Sequence, residues 1–176
     1  LQVRKLFNVD RVVLERIVFL VITAAVVGIG VPYLPLFLSD MRGFDTVEVN
    51  LFGAVGYLGA ALLSIALGEL GSRRGGTFAV LVTISCFVAG CAILLGLDIF
   101  LATVLAVFLL GVMTAITTIL DSIVGLKAPQ ESIGGHLSLY LLAESIAMAP
   151  MPIIGGLLYE QVGPEWPFII GAALAL

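Results

Sequence analysis

Residues 49–76 read VNLFGAVGYLGAALLSIALGELGSRRGG. From Val49 to Gly68 no residue is acidic or basic, and about 20 such residues are what a helix needs to cross the hydrocarbon of a bilayer. The run closes on an acid, two adjacent arginines and two glycines, which reads as a polar turn between two membrane helices. Its small residues are ordered as well. Gly56, Ala60, Ser64 and Gly68 recur at every fourth position and so share one helix face, while Gly53, Gly56 and Gly59 lie on adjoining rows. Lipid gives little hydrophobic drive for helices to associate, so a ridge of this kind serves close packing of backbones.

The same reading extends in both directions. Ile17 to Ser39, Gly75 to Leu97 and Ile99 to Leu120 carry no acidic or basic residue, Leu137 to Tyr159 carries only Glu144, and a last apolar stretch runs from Pro167 to Leu176. The chain is 61% hydrophobic and 11% charged, against about 45–50% apolar and about 25% charged in a soluble domain. The expected fold is therefore an all-α membrane protein, a bundle of six transmembrane helices over residues 17–176, with the sixth span incomplete. Residues 1–16, where Leu6, Val9, Val12, Val13 and Ile17 alternate with charges, read as a cytoplasmic connector or interfacial helix. The opening Leu1-Gln2-Val3-Arg4-Lys5 is unlike a signal peptide and has no initiator Met, so a piece of a longer polypeptide is expected. Cys86 and Cys91 lie together in the third span and read as packing residues, with no disulfide framework or zinc site.

Basic residues orient the spans. Arg4, Lys5, Arg11, Arg16, Arg73, Arg74 and Lys127 fall on one side of an alternating topology, and Arg42 alone on the other. The positive-inside rule puts the N-terminus of the segment in the cytoplasm, in a multi-pass protein expected in a plasma or inner membrane. The loop from Asp40 to Glu48, the tight turn at Asp98 and the loop from Glu160 to Trp166 then face outward. The net charge of −4 says little about partners, and nothing points to nucleic acid.

Pro32 and Pro35 in span one, and Pro150 and Pro152 in span five, remove helical hydrogen bonds and predict kinked or unwound helices. Against this background the polar residues stand out. Glu144 lies about 14 Å into span five if that span enters near Gly135, close to the midplane. Hydrocarbon disfavours a charged carboxylate, so Glu144 is expected protonated or paired, as a proton or substrate group or as a hydrogen bond between helices. Tyr140 precedes it by one turn on the same face. Thr114, Thr117, Thr118 and Asp121 form a polar stripe on span four, with Asp121 about 33 Å along that helix, where it serves either proton movement or an ion pair with Arg73 or Lys127. Tyr33, Asn50 and Tyr57 are further groups that either line a pathway or satisfy nearby backbone. His136, the sole histidine, lacks clustered ligands and reads as an interfacial residue, so no metal is expected.

Three stretches resemble the major facilitator superfamily. Gly68-Glu69-Leu70-Gly71-Ser72-Arg73-Arg74-Gly75-Gly76 is similar to its cytoplasmic loop signature at Gly68, Leu70, Arg73 and Gly75, with Ser72 where that pattern has Asp and Gly76 where it has a basic residue. Pro152-Ile153-Ile154-Gly155-Gly156 resembles the element of its fifth or eleventh helix, with Met151 in place of the leading Gly. Val31-Pro32-Tyr33-Leu34-Pro35-Leu36-Phe37-Leu38 resembles the end of its first or seventh helix. The resemblance implies half of a twelve-helix transporter, here the C-terminal half because the loop signature is degenerate and span four has no Arg. It implies that Gly68, Leu70, Ser72, Arg73 and Gly75 form a cytoplasmic gate motif, and that Pro152, Gly155 and Gly156 form a helix-packing motif. Asp121-Ser122 and Tyr140 to Glu144, followed by the Pro-x-x-Gly-Gly element, are similar to drug–proton antiporters and vesicular amine transporters, with a shorter spacing between the acids.

The expected function is secondary active transport by alternating access, an antiport of a small neutral or cationic organic solute or drug driven by a proton gradient, without a cofactor. No Lys or Arg lies within the spans to hold an anionic substrate. The expected partners are the lipid bilayer, the other six-helix half and the solute. A sensor or scaffold with a transporter fold is the alternative. A membrane-embedded enzyme would need a nucleophile with a base, or metal ligands, and the sequence has no Gly-x-Ser-x-Gly, His-Glu-x-x-His or paired intramembrane Asp motif.

Overall fold

The structure is a computed structural model, and it describes residues 22–23, 25–113 and 133–176, with the side chains of 133–137, 139 and 140 left aside. The described residues are all helical or in short turns between helices. Span one is helical over 25–30, tightens into a 3-10 turn at Val31–Tyr33 and continues as α1, Leu34–Arg42. Span two is α2, Thr46–Arg74, and span three is α3, Gly76–Gly96. Span four is described as α4, Phe100–Leu110, with helix also at 112–113. Span five divides into α5, Ile133–Met148, and α6, Met151–Gln161, and span six is α7, Trp166–Ala175. The stripe of Thr114, Thr117 and Asp121, and the expected connector at residues 1–16, lie outside the described residues.

Each boundary has a local cause. Gly43, at φ 68°, ends α1 in a left-handed conformation, and its N–H bonds the carbonyls of Leu38 and Ser39. Asp45 then caps α2. Its carboxylate accepts the Glu48 N–H at 2.8 Å while the Glu48 carboxylate accepts the Asp45 N–H at 3.0 Å, a reciprocal capping box. At the other end α2 does not stop at Gly68, where its charge-free run stops, but continues through Arg74. The loop-like motif is thus mostly helix, and the chain reverses at Gly75, whose φ of 95° is open to glycine and strained for other residues.

The centre of the fold is the packing of α2, α3 and α4 against one another. Phe87 and Leu94 of α3 and Ala106 and Val107 of α4 are fully buried there, with Thr83 and Thr103. The two threonines satisfy themselves on their own helices, Thr83 through the Ala79 carbonyl at 2.9 Å and Thr103 through that of Ile99 at 3.3 Å. Glycine sets how close the helices come. A Cβ on Gly59 would collide with the Phe108 carbonyl, and one on Gly111 would collide with the Gly56 carbonyl and come within 2.9 Å of the Ala60 nitrogen. These backbones touch. Phe44, Phe52 and Phe100 close one end of the trio, with ring centroids 4.8 to 6.0 Å apart. Spans one and six join through Phe37 and Phe168, edge to face at 5.1 Å, and Phe168 is buried in the same core.

Candidate functional site

The seam between spans one and five gathers several of the residues that the sequence singles out. Pro35 cannot donate to the carbonyl of Val31, and Leu34 N–H takes it instead, which tightens the chain into the 3-10 turn. In span five the chain turns at Ala149-Pro150 between α5 and α6, where Pro150 and Pro152 supply no N–H. The two interruptions face each other. A Cβ on Gly28 would lie 2.6 Å from the Met151 Cβ and 3.4 Å from the Met148 sulfur, and one on Gly155 would collide with the Ile29 carbonyl.

Tyr33 bridges the seam. Its hydroxyl donates to the Pro152 carbonyl, and its ring occupies the space left by Gly155 and Gly156, where a Cβ would stand 2.7 Å from ring carbon or hydroxyl. The Tyr33 and Tyr159 rings stack with centroids 5.7 Å apart and planes at 27°. The Tyr159 hydroxyl in turn donates to Asp40 Oδ2 at 3.1 Å. Pro152, Gly155 and Gly156 therefore receive span one, and Tyr33 is held by backbone.

Glu144 lies on α5, one turn before Met148, and the two share a helix face. The Met148 sulfur lies beside Gly28 of span one, 3.4 Å from where a Cβ on that glycine would stand. Glu144 is half-buried, one turn short of the break. Next to it Ser145 is satisfied on its own helix by the Leu141 carbonyl at 2.8 Å. The side chains of Tyr140 and His136 are outside the description.

Asn50 and Tyr57 sit elsewhere, on a face of α2 that no other described helix covers. Asn50 donates to the Thr46 carbonyl of its own helix at 2.8 Å, and Tyr57 is 77% exposed. Ala54, Ala61 and Gly68 share that exposed face. At the end of α2 Leu70 packs against the core, Ser72 donates to the Glu69 carbonyl at 2.7 Å, and Arg73 pairs with Glu69 at 2.6 Å with both side chains largely exposed. Arg74 lies over the Phe78 ring at 5.2 Å.

Arg42 is a residue whose part the sequence does not announce beyond its charge. Its guanidinium donates to Asp98 and to the Leu94 carbonyl at the end of α3, so it ties α1 to the turn between spans three and four. Asp40 and Tyr159 are likewise linked only by the fold.

Apolar helices of membrane-spanning length, with spans one and five both interrupted by proline at one seam and Glu144 one turn from the break, define an integral multi-pass membrane protein. The sequence profile of the Major Facilitator Superfamily matches residues 17–176, and the chain belongs to that family of membrane transporters. Its helices form half of the family's fold. No solved structure matches the chain.

Proposed function

We propose that this chain is the C-terminal six-helix half of a proton-coupled antiporter for a small neutral or cationic organic solute. The observation that carries the reading is Glu144, an acid on an otherwise apolar helix, half-buried and one turn before a break in its own span. Binding or releasing a proton there changes the cost of keeping that carboxyl in low dielectric, and so biases one arrangement of the helices over another. The spans carry no Lys or Arg and so offer no fixed cation to an anionic solute, which favours a neutral or cationic one. The exposed α2 face with Asn50, Ala54, Tyr57 and Ala61 is the surface we assign to the other half of the transporter, since small and polar residues suit a helix contact better than lipid. Asp121, Thr114, Thr117 and Tyr140 complete the proposed pathway. The cytoplasm lies at the Arg73 end, where the basic residues gather.

The test is the full-length protein with Glu144→Gln, reconstituted in liposomes and supplied with a pH gradient. Loss of gradient-driven flux with solute exchange retained supports the reading; coupling unchanged from wild type overturns it. Solute-dependent thermal stabilisation of the wild type without any flux identifies a sensor with a transporter fold.

A further inference from the structure

We infer that Arg74 and the exposed row of α3 beneath it form a binding site for one anionic phospholipid, with the lipid phosphate on the guanidinium and an acyl chain along Phe78 and Leu81. The site lies in the leaflet at the Arg73 end of the molecule, apart from the seam between spans one and five and from the α2 face assigned to the other half. It depends on neither the proposed proton step nor the identity of the solute.

Two adjacent arginines end α2, and the fold treats them differently. Arg73 pairs with Glu69 one turn back at 2.6 Å, so its charge is met within its own helix. Arg74 has no carboxylate partner among the described residues. Its guanidinium lies over the Phe78 ring instead, 5.2 Å from the centroid. Gly75 brings this about. At φ 95° it reverses the chain between α2 and α3, and a Cβ on Gly71 would stand 3.5 Å from that of Ala79, so the end of one helix lies against the start of the next. A guanidinium already seated on a ring has less freedom left to lose when it meets an anion.

Beneath the cation the surface is apolar. Phe78 and Leu81 are 37% and 57% exposed, three residues apart on one face of α3, and the exposed row runs on through Ser85, Ala89 and Ala92. The Ser85 hydroxyl donates to the Leu81 carbonyl at 2.9 Å, so its proton is already used on its own helix. Ala79, Thr83 and Phe87 of the same helix are buried in the bundle, which turns the row away from it.

A cation at the water's edge above bare apolar side chains is the complement of a phospholipid, whose anion stands above its chains. A protein helix on the same row would have to bring a carboxylate to its end to meet Arg74. An anionic phospholipid carries its charge at that height already. In phosphatidylcholine an ammonium on the same headgroup offsets the phosphate, so it answers Arg74 less well.

The experiment titrates the full-length protein in detergent with phosphatidylglycerol or phosphatidylcholine and counts bound lipid by native mass spectrometry, wild type and variant in one sample. Arg74→Gln weakens the tightest phosphatidylglycerol binding by about fivefold, the worth of one arginine at an anionic surface. Phe78→Leu keeps the row apolar, removes the seat of the guanidinium and weakens binding by about threefold. Glu69→Gln combined with Arg73→Gln removes the neighbouring pair without changing the net charge, and leaves binding as in the wild type. Phosphatidylcholine binding is the same in all four proteins, and excess inorganic phosphate does not displace phosphatidylglycerol. Binding unmoved by Arg74→Gln or by Phe78→Leu, or weakened as much by the double variant, overturns the site. An equal effect on phosphatidylcholine overturns its preference for an anionic lipid, and displacement by inorganic phosphate reduces it to a simple anion site without a lipid. Proton-driven flux is not read in this assay, so its outcome is separate from that of the proposed coupling.

Discussion

The α2–α3–α4 trio and the seam between spans one and five both depend on glycine, and they use it in partly different ways. In the trio, Gly59 and Gly111 let backbone meet backbone, leaving no space between α2 and α4. At the seam Gly155 likewise admits the Ile29 carbonyl, but together with Gly156 it also leaves a hollow that the Tyr33 ring fills. Backbone against backbone has nothing to give way, whereas a ring end can turn aside. The trio is consequently where a new side chain has least room, and Gly156 at the seam is where a ring end can yield.

Substitutions graded by what a new side chain meets would break this contrast or sharpen it. Gly59→Leu should have the largest effect, because its Cβ meets the Phe108 backbone; we expect a loss of at least about 3 kcal/mol, seen as poor yield of monodisperse full-length protein and an early thermal transition. Gly156→Val meets the hydroxyl end of Tyr33, which can shift, and should cost about 1 kcal/mol in the same thermal assay. Gly53→Ala meets nothing within 4 Å and should be neutral or stabilise by up to about 1 kcal/mol, as alanine does in a helix. A loss at Gly53 would mean that another helix covers this face in the full-length protein. Equal losses at positions 59 and 156 would remove the distinction between the two regions.

Much of this was readable before the fold. The charge-free runs marked the spans, and the prolines marked where spans one and five are interrupted. The small-residue ridge of α2 shows where such reading stops. Spacing by four groups Gly56, Ala60, Ser64 and Gly68, but the contact with α4 runs through Gly56, Gly59 and Ala60, while Gly68 faces open space. Periodicity says which residues share a face; the row that meets a neighbour depends on that neighbour, here Gly111. Tyr159, Asp40 and Arg42 carried no local signal either. Tyr159 and Asp40 stand 119 residues apart, and Arg42 and Asp98 stand 56 apart, so each acquires its partner only when the bundle closes. Tyr33, read as a pathway group or a backbone partner, has the Pro152 carbonyl as its partner. The polar stripe of span four lies outside the described residues.

The length of α2 carries a further consequence. Its 29 residues make a rod of about 43 Å, whereas the hydrocarbon is about 30 Å thick. The capping box fixes one end, and the last turns, with Glu69, Arg73 and Arg74, project beyond the apolar slab as a stiff lever. Tilting this helix by about 10° carries Arg73 sideways by about 7 Å relative to Asp45. A small change of angle inside the bilayer thus becomes, at the water's edge, a displacement wide enough for a guanidinium to exchange one carboxylate for another.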